Sequence, residues 1–487
     1  MLKNFTNLNK KNFSNDSILL INLVFGFFPI SFIFGNLITN INLILFCVLG
    51  IFHLKSKILK TKFNLPIKII FLFFLVIFFS TSLSFIKSLY FEGYEYIHLI
   101  RLTKSILFFR YFLMLVIVYL LSELYLLNFK YFFITATFST LLVALDVIYQ
   151  SIFGFNIIGL KSHGTHNSGF FGQEWISGGF IQNFSLFSIL FVVFILKNKK
   201  NLRFILTAIT ICILGAGIML SGNRAPLILF LFGLLLLFLF NNKLWKIILV
   251  SLICFFIISK FIFSSVPLTN DAYTSLYDNI RGLVASEHIL KKNTETNQEA
   301  GGNSTLSKEK ELYSFPLYPQ YTGFFSTWDP HIRILLTSVD TWKKNKIFGN
   351  GIRSFRIDCY KLAGSAIYPE AGYNLSENVK LFKKNRLCSN HPHNYYFEIL
   401  TETGIVGLFI TLMIASLFVV FILKNFKFFK GNNIENFILL AATISLILEV
   451  FPFKASGSVF TTNDAAYIIL LSSIILSYKK KQATSLG

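Results

Sequence analysis

The sequence predicts an all-α polytopic membrane protein of about twelve transmembrane helices, with a large, partly helical loop between the ninth and the tenth. Of its 487 residues, 54% are hydrophobic and only 14% are charged, which is too few charges to cover a soluble protein of this size. Several apolar runs also reach the ~20 residues that a helix needs to cross a bilayer. These two observations exclude a multi-domain soluble enzyme.

Length and hydropathy place the predicted spans along the chain. They lie at 17–34, 37–53, 66–85, 105–121, 131–151, 179–196, 204–220, 225–241, 245–263, 402–423, 435–452 and 465–477. Clusters of basic residues follow even-numbered spans only, at 55–62, 197–203, 243–246, 424–430 and 479–481. Because the positive-inside rule keeps such clusters in the cytoplasm, both termini are predicted to be cytoplasmic. The segments then predicted outside are 152–178, 221–224, 264–401 and 453–464.

The net charge of +22 has a plain explanation in this topology. In a soluble protein it would indicate a nucleic-acid partner. Here many basic residues lie in short loops between apolar runs, where they set the orientation of the spans. We therefore expect contacts with membrane lipids and none with nucleic acid.

The outer loop 264–401 changes character along its length. The stretch 293–311 is rich in Asn, Thr, Gly, Ser, Lys and Glu, a composition that predicts mobility. Residues 334–342 have the apolar spacing of an amphipathic helix, which 329–333 lead into, and the Phe-Gly-Asn-Gly run at 348–351 predicts a turn after it. The loop is therefore predicted to be part disordered insert and part folded cap.

Two of the five cysteines, Cys359 and Cys388, lie in this loop and are candidates for a disulfide. In the chain-entropy model, closing a loop of about 30 residues stabilises a fold by roughly 3 kcal/mol. The bond would also fix the segment just before His391, and the alternative is two free thiols. The other three fall in spans and are expected to be packing residues: Cys47, Cys212 and Cys254.

The most informative stretch is 389–407, which carries His391 and His393 just before a hydrophobic helix. Histidine is the one side chain whose ordinary pKa lies near neutrality, so it can act as a general base at working pH. Three other interpretations compete. They are capping or packing by His391, a metal site that also uses His331 and Asp329, and plain surface residues. The lack of a further cluster with ligand spacing disfavours the metal site.

Arginines are the second candidate group. Arg224 is the only charge in the short outer turn 221–224, where an arginine is costly unless it is paired or wet. The positive-inside rule disfavours an arginine without a function on the outer side of the membrane, so a functional role is favoured over snorkelling to lipid phosphate. Arg333 opens the amphipathic helix and could grip phosphate at two points, or be a solvated charge. Arg353 and Arg356, after the glycine turn, are weaker candidates of the same kind.

The outer segment 152–178 holds a third group of polar side chains. His163 and His166 lie there with Gln173 and Glu174, on the same predicted side as the other candidates. They are favoured as ordinary loop residues, and a place in the lining of the site is the alternative.

Taken together, these residues resemble the O-antigen ligase and O-antigen polymerase superfamily of bacterial inner membranes. The shared region runs from about 204 to 423. It has a Ser-Gly-x-Arg-like turn at 221–224, a large outer loop, and a closing His-x-His-Asn run that ends in Gly-x-x-Gly at 391–407. Residues 333–355 are similar to the loop segment of the family, and 167–174 are weakly similar to an earlier outer loop of some members.

Parts of the chain fall outside this pattern. The insert at about 270–325 does not match it. The N-terminal spans in 1–203 match only in being hydrophobic, and 424–487 supplies the last spans and a basic tail. The resemblance therefore predicts three parts, with the ligase-like core in the middle.

The resemblance implies an inverting, metal-independent glycosyltransferase that needs no cofactor and acts at the periplasmic face of the bacterial inner membrane. Its donor would be a glycan on undecaprenyl diphosphate, and its acceptor a hydroxyl of lipid A–core or of another glycan. Carried over to this sequence, His393 is the base, although the sequence does not decide between His393 and His391 for this role. Arg224 and Arg333 hold the diphosphate. Further substrate contacts are expected from His391, Asn394, Arg353 and Arg356.

Other functions fit the same residues. A polymerase that joins repeat units on the lipid carrier would share the chemistry. The ligase is favoured because one folded outer loop carries both an arginine and the histidine. Transfer of the glycan onto a protein acceptor is a third use of the same chemistry. A transporter of lipid-linked sugars is disfavoured, because the sequence lacks paired inverted repeats and helices broken at matching positions.

Overall fold

The computed structural model describes residues 15–55, 57–92, 96–266, 270, 273–274, 330–363, 386–455 and 457–483. These residues fold almost entirely as helices, with no named strand among them and two isolated β-bridges between 155 and 166. The all-α class is therefore confirmed. The stretch 293–311, predicted to be mobile, lies outside the described residues, as does most of the insert at 270–325.

Connections of varied length join the helices. In chain order these are α1 Asn15–Gly26, α2 Phe28–Ile33, α3 Asn36–Leu54, α4 Lys57–Lys60, α5 Leu65–Lys87, α6 Tyr96–Glu123, α7 Lys130–Phe153, α8 Ser177–Ile195, α9 Lys200–Leu220, α10 Arg224–Phe240, α11 Trp245–Ser265, α12 Pro330–Trp342, α13 Phe355–Ala363, α14 Tyr395–Asn425, α15 Ile434–Glu449 and α16 Thr462–Ala483. The predicted amphipathic helix coincides with α12.

Every predicted span coincides with helix, and nine helical segments of the described chain are long and apolar enough to cross a membrane. The first span is divided into α1 and α2 at Phe27, because Pro29 in the first turn of α2 lacks a backbone donor. The predicted spans at 225–241, 435–452 and 465–477 fall on α10, α15 and α16, which do not meet the same criterion of length and hydropathy. The protein is multi-pass, and the count of twelve stays a prediction.

The connections gather at two ends of the helix bundle. The start of α8 borders a cavity that also touches the connections 221–224 and 453–464. The other end of α8, about 28 Å away at 1.5 Å per residue, borders a pocket lined by Arg203 and Lys243. There, Nζ of Lys243 donates to the carbonyl of Lys430 at 2.9 Å. We call these the cavity end and the basic end. Basic residues of the clusters 197–203, 243–246 and 424–430 thus lie at one end of the bundle, and the connections 221–224 and 453–464 lie at the other. This is the alternation along the chain that the basic clusters predict.

Aromatic side chains form the centre of the bundle. The largest fully buried side chains include Tyr111 and Tyr119 of α6, Phe132 of α7 and Phe187 of α8. Phe132 and Phe187 meet edge to face with ring centroids 5.3 Å apart, a geometry that aromatic pairs favour. This contact holds α7 against α8, whose first turns line the cavity described below.

The cysteines of the spans differ in environment. Cys47 and Cys212 are buried, as predicted, but Cys254 is exposed on α11, so the expectation that it packs inside was wrong. Its neighbours Ile253 and Ile257 are exposed as well. This face of α11 is therefore apolar surface suited to lipid, where a thiol needs no protein contact.

α14 is broken where the turn that follows α12 enters it. Gly404 has φ +69° and ψ −167° inside the helix, which interrupts the regular hydrogen bonds. The entering turn supplies replacements on both sides of the break. Gly351 donates to the carbonyl of Glu402 at 2.8 Å, and Ile405 donates to the carbonyl of Lys346 at 3.0 Å. These bonds replace helix bonds that are lost at the break, so the turn and the broken helix stabilise each other.

Replacing Gly349 by alanine should destabilise the protein. Gly349 has φ +72°, and a Cβ there would lie 2.5 Å from backbone atoms of Glu402, Thr403 and Gly404. The backbone of α14 would have to move, so we expect the Tm of the purified protein to fall by about 5 °C or more. Gly164→Ala is the matched control, because Gly164 has φ +74° with nothing within 4 Å. Equal losses in the two variants would show that the overlap has no effect.

Candidate active site

The described part of the loop 264–401 includes a cap made of α12 and α13, which a disulfide closes. Cys359 on α13 is bonded to Cys388, and the two Cα atoms are 5.5 Å apart. Ile334, Phe355 and Cys359 form a small buried cluster, and Leu387 and Cys388 pack on it. The bond therefore holds the segment that leads into the two histidines against the cap.

The segment after Cys388 carries the histidines to the start of α14. Asn394 is the N-cap of this helix, since its Oδ1 accepts from the N–H of Tyr396 at 3.0 Å. Its Nδ2 donates to the carbonyl of Pro452 at 2.7 Å. His393 has φ +57°, a left-handed conformation that residues with a side chain rarely adopt and that concentrates at functional sites. Asn394 therefore has a capping role, and its contact with substrate stays a prediction.

Three histidine rings meet at this point. The ring centroids of His391 and His393 are 4.3 Å apart, and His331 of α12 lies 5.5 Å from His393. The backbone N–H of His393 donates to Nδ1 of His391 at 3.2 Å, and Nε2 of His393 is 3.2 Å from Oγ of Ser389. In the described part of the chain, no three His, Cys, Asp or Glu side chains are placed to hold a metal ion. Asp329, considered as a ligand, lies outside that part.

Burial favours the neutral form of both histidines of the segment. It lowers the pKa of His391 to about 4, and the charges of His393 and Arg356 add to the effect. It also lowers the pKa of His393, where repulsion from His331 contributes. A neutral imidazole has one unprotonated ring nitrogen, so each ring is in the state that a general base requires at neutral pH.

Two of the predicted phosphate-binding arginines lie in the cap. Arg333 on α12 donates from its guanidinium to the carbonyl of Arg386 at 3.3 Å. Arg356 on α13 lies close enough to His391 to lower its pKa. The buried Nε–H of Arg356 has no hydrogen-bond partner among the described residues. A buried donor of this kind is expected to meet a ligand or water.

A buried network beneath the cap positions Arg353. This residue has φ +58°, and its N–H donates to Oε2 of Glu402 on α14 at 2.5 Å. Arg101 of α6, only 3% exposed, donates from Nε to the carbonyl of Ile352 at 3.0 Å. Sequence reasoning missed both Arg101 and Glu402. The signal was present, because ionisable residues in an apolar helix mark functional sites or their supports.

A polar cavity of about 650 Å³ lies at the cavity end of the bundle. Its lining brings together Arg224, His391 and Lys454 with the carboxylates Glu449 and Asp464. Nζ of Lys454 is 2.7 Å from Oε2 of Glu449. Of the arginines predicted from sequence, Arg224 is in the lining. Arg333, Arg353 and Arg356 are not among the lining residues, and neither is His393, whose ring lies against that of His391.

An apolar pocket of about 180 Å³ shares one wall with the polar cavity. The side chain of Tyr395 lines both, and its hydroxyl donates to Oε1 of Glu449 at 2.6 Å. Hydrophobic residues of five helices form most of the rest, among them Ile70, Phe108, Ile414, Leu446 and Ile468. A polar and an apolar volume are therefore adjacent at the start of α14, which suits a ligand with a polar head and a lipid tail.

Comparison with protein families identifies the middle of the chain. Residues 209–412 match the family model described as O-antigen ligase. The matched region contains Arg224, the cap and the run from His391 to Gly407. The resemblance to the O-antigen ligase superfamily, inferred from the sequence, is therefore confirmed. Comparison with the curated proteins gives no match.

Proposed function

We propose that this chain, a multi-pass membrane protein of the O-antigen ligase superfamily, transfers a glycan from undecaprenyl diphosphate to an acceptor hydroxyl at the periplasmic face of the inner membrane. The observation that carries the proposal is the presence of His391 and Arg224 in one polar cavity beside an apolar pocket. The polar cavity suits the diphosphate and the sugars. The apolar pocket suits part of the lipid.

In the proposed reaction the acceptor oxygen attacks the anomeric carbon of the donor sugar. The bond from that carbon to the diphosphate oxygen breaks, and the diphosphate leaves on the lipid carrier. His393 takes the proton of the acceptor hydroxyl as the new bond forms. Because attack comes from the side opposite the leaving group, the configuration at the carbon inverts.

One backbone hydrogen bond supports different roles for the two histidines. The N–H of His393 can only donate, so Nδ1 of His391 must be the acceptor in their 3.2 Å contact. The neutral ring of His391 therefore carries its proton on Nε2 and can donate a hydrogen bond. We assign the base to His393 and assign to His391 a hydrogen bond to an oxygen of the substrate.

Guanidinium groups supply the positive charge. As the sugar–phosphate bond breaks, negative charge grows on the diphosphate, and fixed donors stabilise it most in a dry site. We assign this role to Arg224 from the cavity wall and to Arg333 from the cap, with Arg356 as a further donor. These charges act where other enzymes use a divalent cation, so we propose that transfer persists in EDTA.

The proposed orientation rests on the basic end of the bundle. Lys197, Arg203 and Lys243 line one pocket there, and the positive-inside rule keeps such residues in the cytoplasm. The cavity end then faces the periplasm. The disulfide between Cys359 and Cys388 agrees, because that compartment is oxidising.

A glycan profile of a host that lacks this gene tests the proposed function. With lipid A–core as acceptor, the mutant should accumulate full-length glycan on the lipid carrier and display bare lipid A–core. The wild-type gene should restore both. Lipid A–core capped by single repeat units would instead identify a polymerase. An unchanged profile would contradict both assignments.

The pH dependence of transfer should reflect the lowered pKa values of the two histidines. Because the pKa of His391 is about 4 and that of His393 is below its usual range, lowering the pH from 7 to 6 should protonate either ring less than a free histidine. Transfer by the purified protein should therefore lose less of its rate between pH 7 and pH 6 than titration of a free histidine would cause. A rate that halves near pH 6.5, where a free histidine titrates, would contradict this account.

A further inference from the structure

The structure points to a sugar-binding subsite on Trp175, in the wall of the polar cavity that also holds His391 and Arg224. This inference rests on the proposed function and deepens it. It concerns the part of the site that recognises carbohydrate, while the histidines and arginines serve the reacting bond. The ligand would be one sugar ring of the donor or the acceptor glycan.

Trp175 presents an aromatic surface to the cavity. The side chain is 52% exposed, and it is part of the cavity lining. The ring of His166 stacks on it with centroids 4.5 Å apart and an interplanar angle of 10°. The stack covers one face of the indole, and the residue also forms part of the cavity wall. An aromatic side chain in such a wall can pack against an apolar face of a ligand.

Close packing fixes this surface next to Arg224. The amide of Asn223 donates to the carbonyl of Trp175 at 2.8 Å. A Cβ on Gly222 would lie 2.1 Å from the carbonyl oxygen of Thr165 and 2.7 Å from Nδ1 of His166, so only glycine fits there. The turn that carries Arg224 and the loop that carries Trp175 are therefore held together as one wall.

The chemistry of this wall suits a sugar ring. The C–H face of a pyranose is apolar and packs against an aromatic ring, while its hydroxyl groups need hydrogen-bond partners. Glu174, Gln182, Asn183 and Asp464 line the same cavity. Carboxylates and amides of this kind accept and donate such bonds. The cavity thus offers an aromatic platform and polar partners together.

A tryptophan near a helix end can also be a membrane-interface anchor. Trp245 provides the comparison within this chain. It is 45% exposed at the basic end, directly before Lys246, whose Nζ lies 5.4 Å from the indole centroid. Trp245 does not line the polar cavity. Trp245→Ala is therefore a matched control that removes an exposed indole without touching the proposed subsite.

The test combines transfer kinetics with direct binding. Trp175→Ala should raise the KM for one substrate by about tenfold, Trp175→Phe should restore most of the loss, and Trp245→Ala should change neither KM. A raised KM for lipid A–core assigns the subsite to the acceptor, and a raised KM for the lipid-linked glycan assigns it to the donor. Trp175→Leu replaces the alanine variant if that variant does not insert. Unchanged KM values in the Trp175 variants would overturn the subsite.

Binding separates this inference from the proposed reaction. Core oligosaccharide released from its lipid, and free glycan released from the carrier, are each titrated into the detergent-purified wild type and Trp175→Ala, with saturation-transfer NMR as readout. Suppose that sugar binding depends on Trp175 but the wild-type protein has no transfer activity. This result would support the subsite and reject the proposed reaction. Transfer with no effect of Trp175 on KM or binding would reject the subsite alone.

Discussion

Replacing His393 by alanine should lower the rate of glycan transfer by at least about 100-fold, the usual contribution of a general base. The acceptor hydroxyl would then have to lose its proton without a positioned base. The rate should be measured with purified protein and lipid-linked donor. The glycan profile of the rescued host should show the same loss. The variant must be present in the membrane fraction at the wild-type level, because His393 directly precedes Asn394, the N-cap of α14.

The matching variants of His391 distinguish the two rings. Because Nδ1 of His391 accepts the N–H of His393, the ring is assigned as a donor to substrate. Glutamine has an amide N–H that can replace a donor but cannot take up a proton near neutral pH. His391→Gln should therefore keep a measurable part of the rate, and His393→Gln should be as inactive as His393→Ala. The reverse order would make His391 the base.

The helices and the two histidines were predictable because local sequence determines them. Apolar runs of sufficient length mark the spans, and the run at 389–407 places His391 and His393 before α14 regardless of what packs around them. The pairing of Cys359 with Cys388 followed from their position in one folded loop. Each of these features depends on neighbours in the sequence or on a short list of possible partners.

The supports of the site were not predictable in the same way. Arg101 meets Ile352 about 250 positions later in the chain, and no periodicity in either segment indicates the contact. The break at Gly404 is stable because the turn after α12 fills it, so it depends on two distant segments at once. The sequence raised His331 beside the histidine pair only as a candidate metal ligand, and it lies there because the cap folds α12 back onto the start of α14. Hydropathy identifies spans and leaves their mutual packing open.

Replacing Arg224 should give the second large effect. Arg224→Ala should lower kcat by about 100-fold or more, the loss usually seen when one fixed donor to a developing negative charge is removed. Arg224→Lys should recover only part of the rate, because an ammonium is a point charge and cannot make the forked contact of a guanidinium with a phosphate. The measurement is kcat and KM for the lipid-linked donor with each purified variant.

The control for Arg224 is Arg203→Ala, which removes a guanidinium at the basic end of the bundle, away from the cavity. It should leave both kinetic constants unchanged. If Arg224 only anchors the protein to lipid phosphate, lysine should replace it fully and alanine should lower protein level rather than kcat. If it stabilises the leaving diphosphate, the loss should appear in kcat at a normal protein level. A transporter would give a third pattern, in which Arg224→Ala stops delivery of the lipid-linked glycan in cells while the purified wild type transfers no sugar at all.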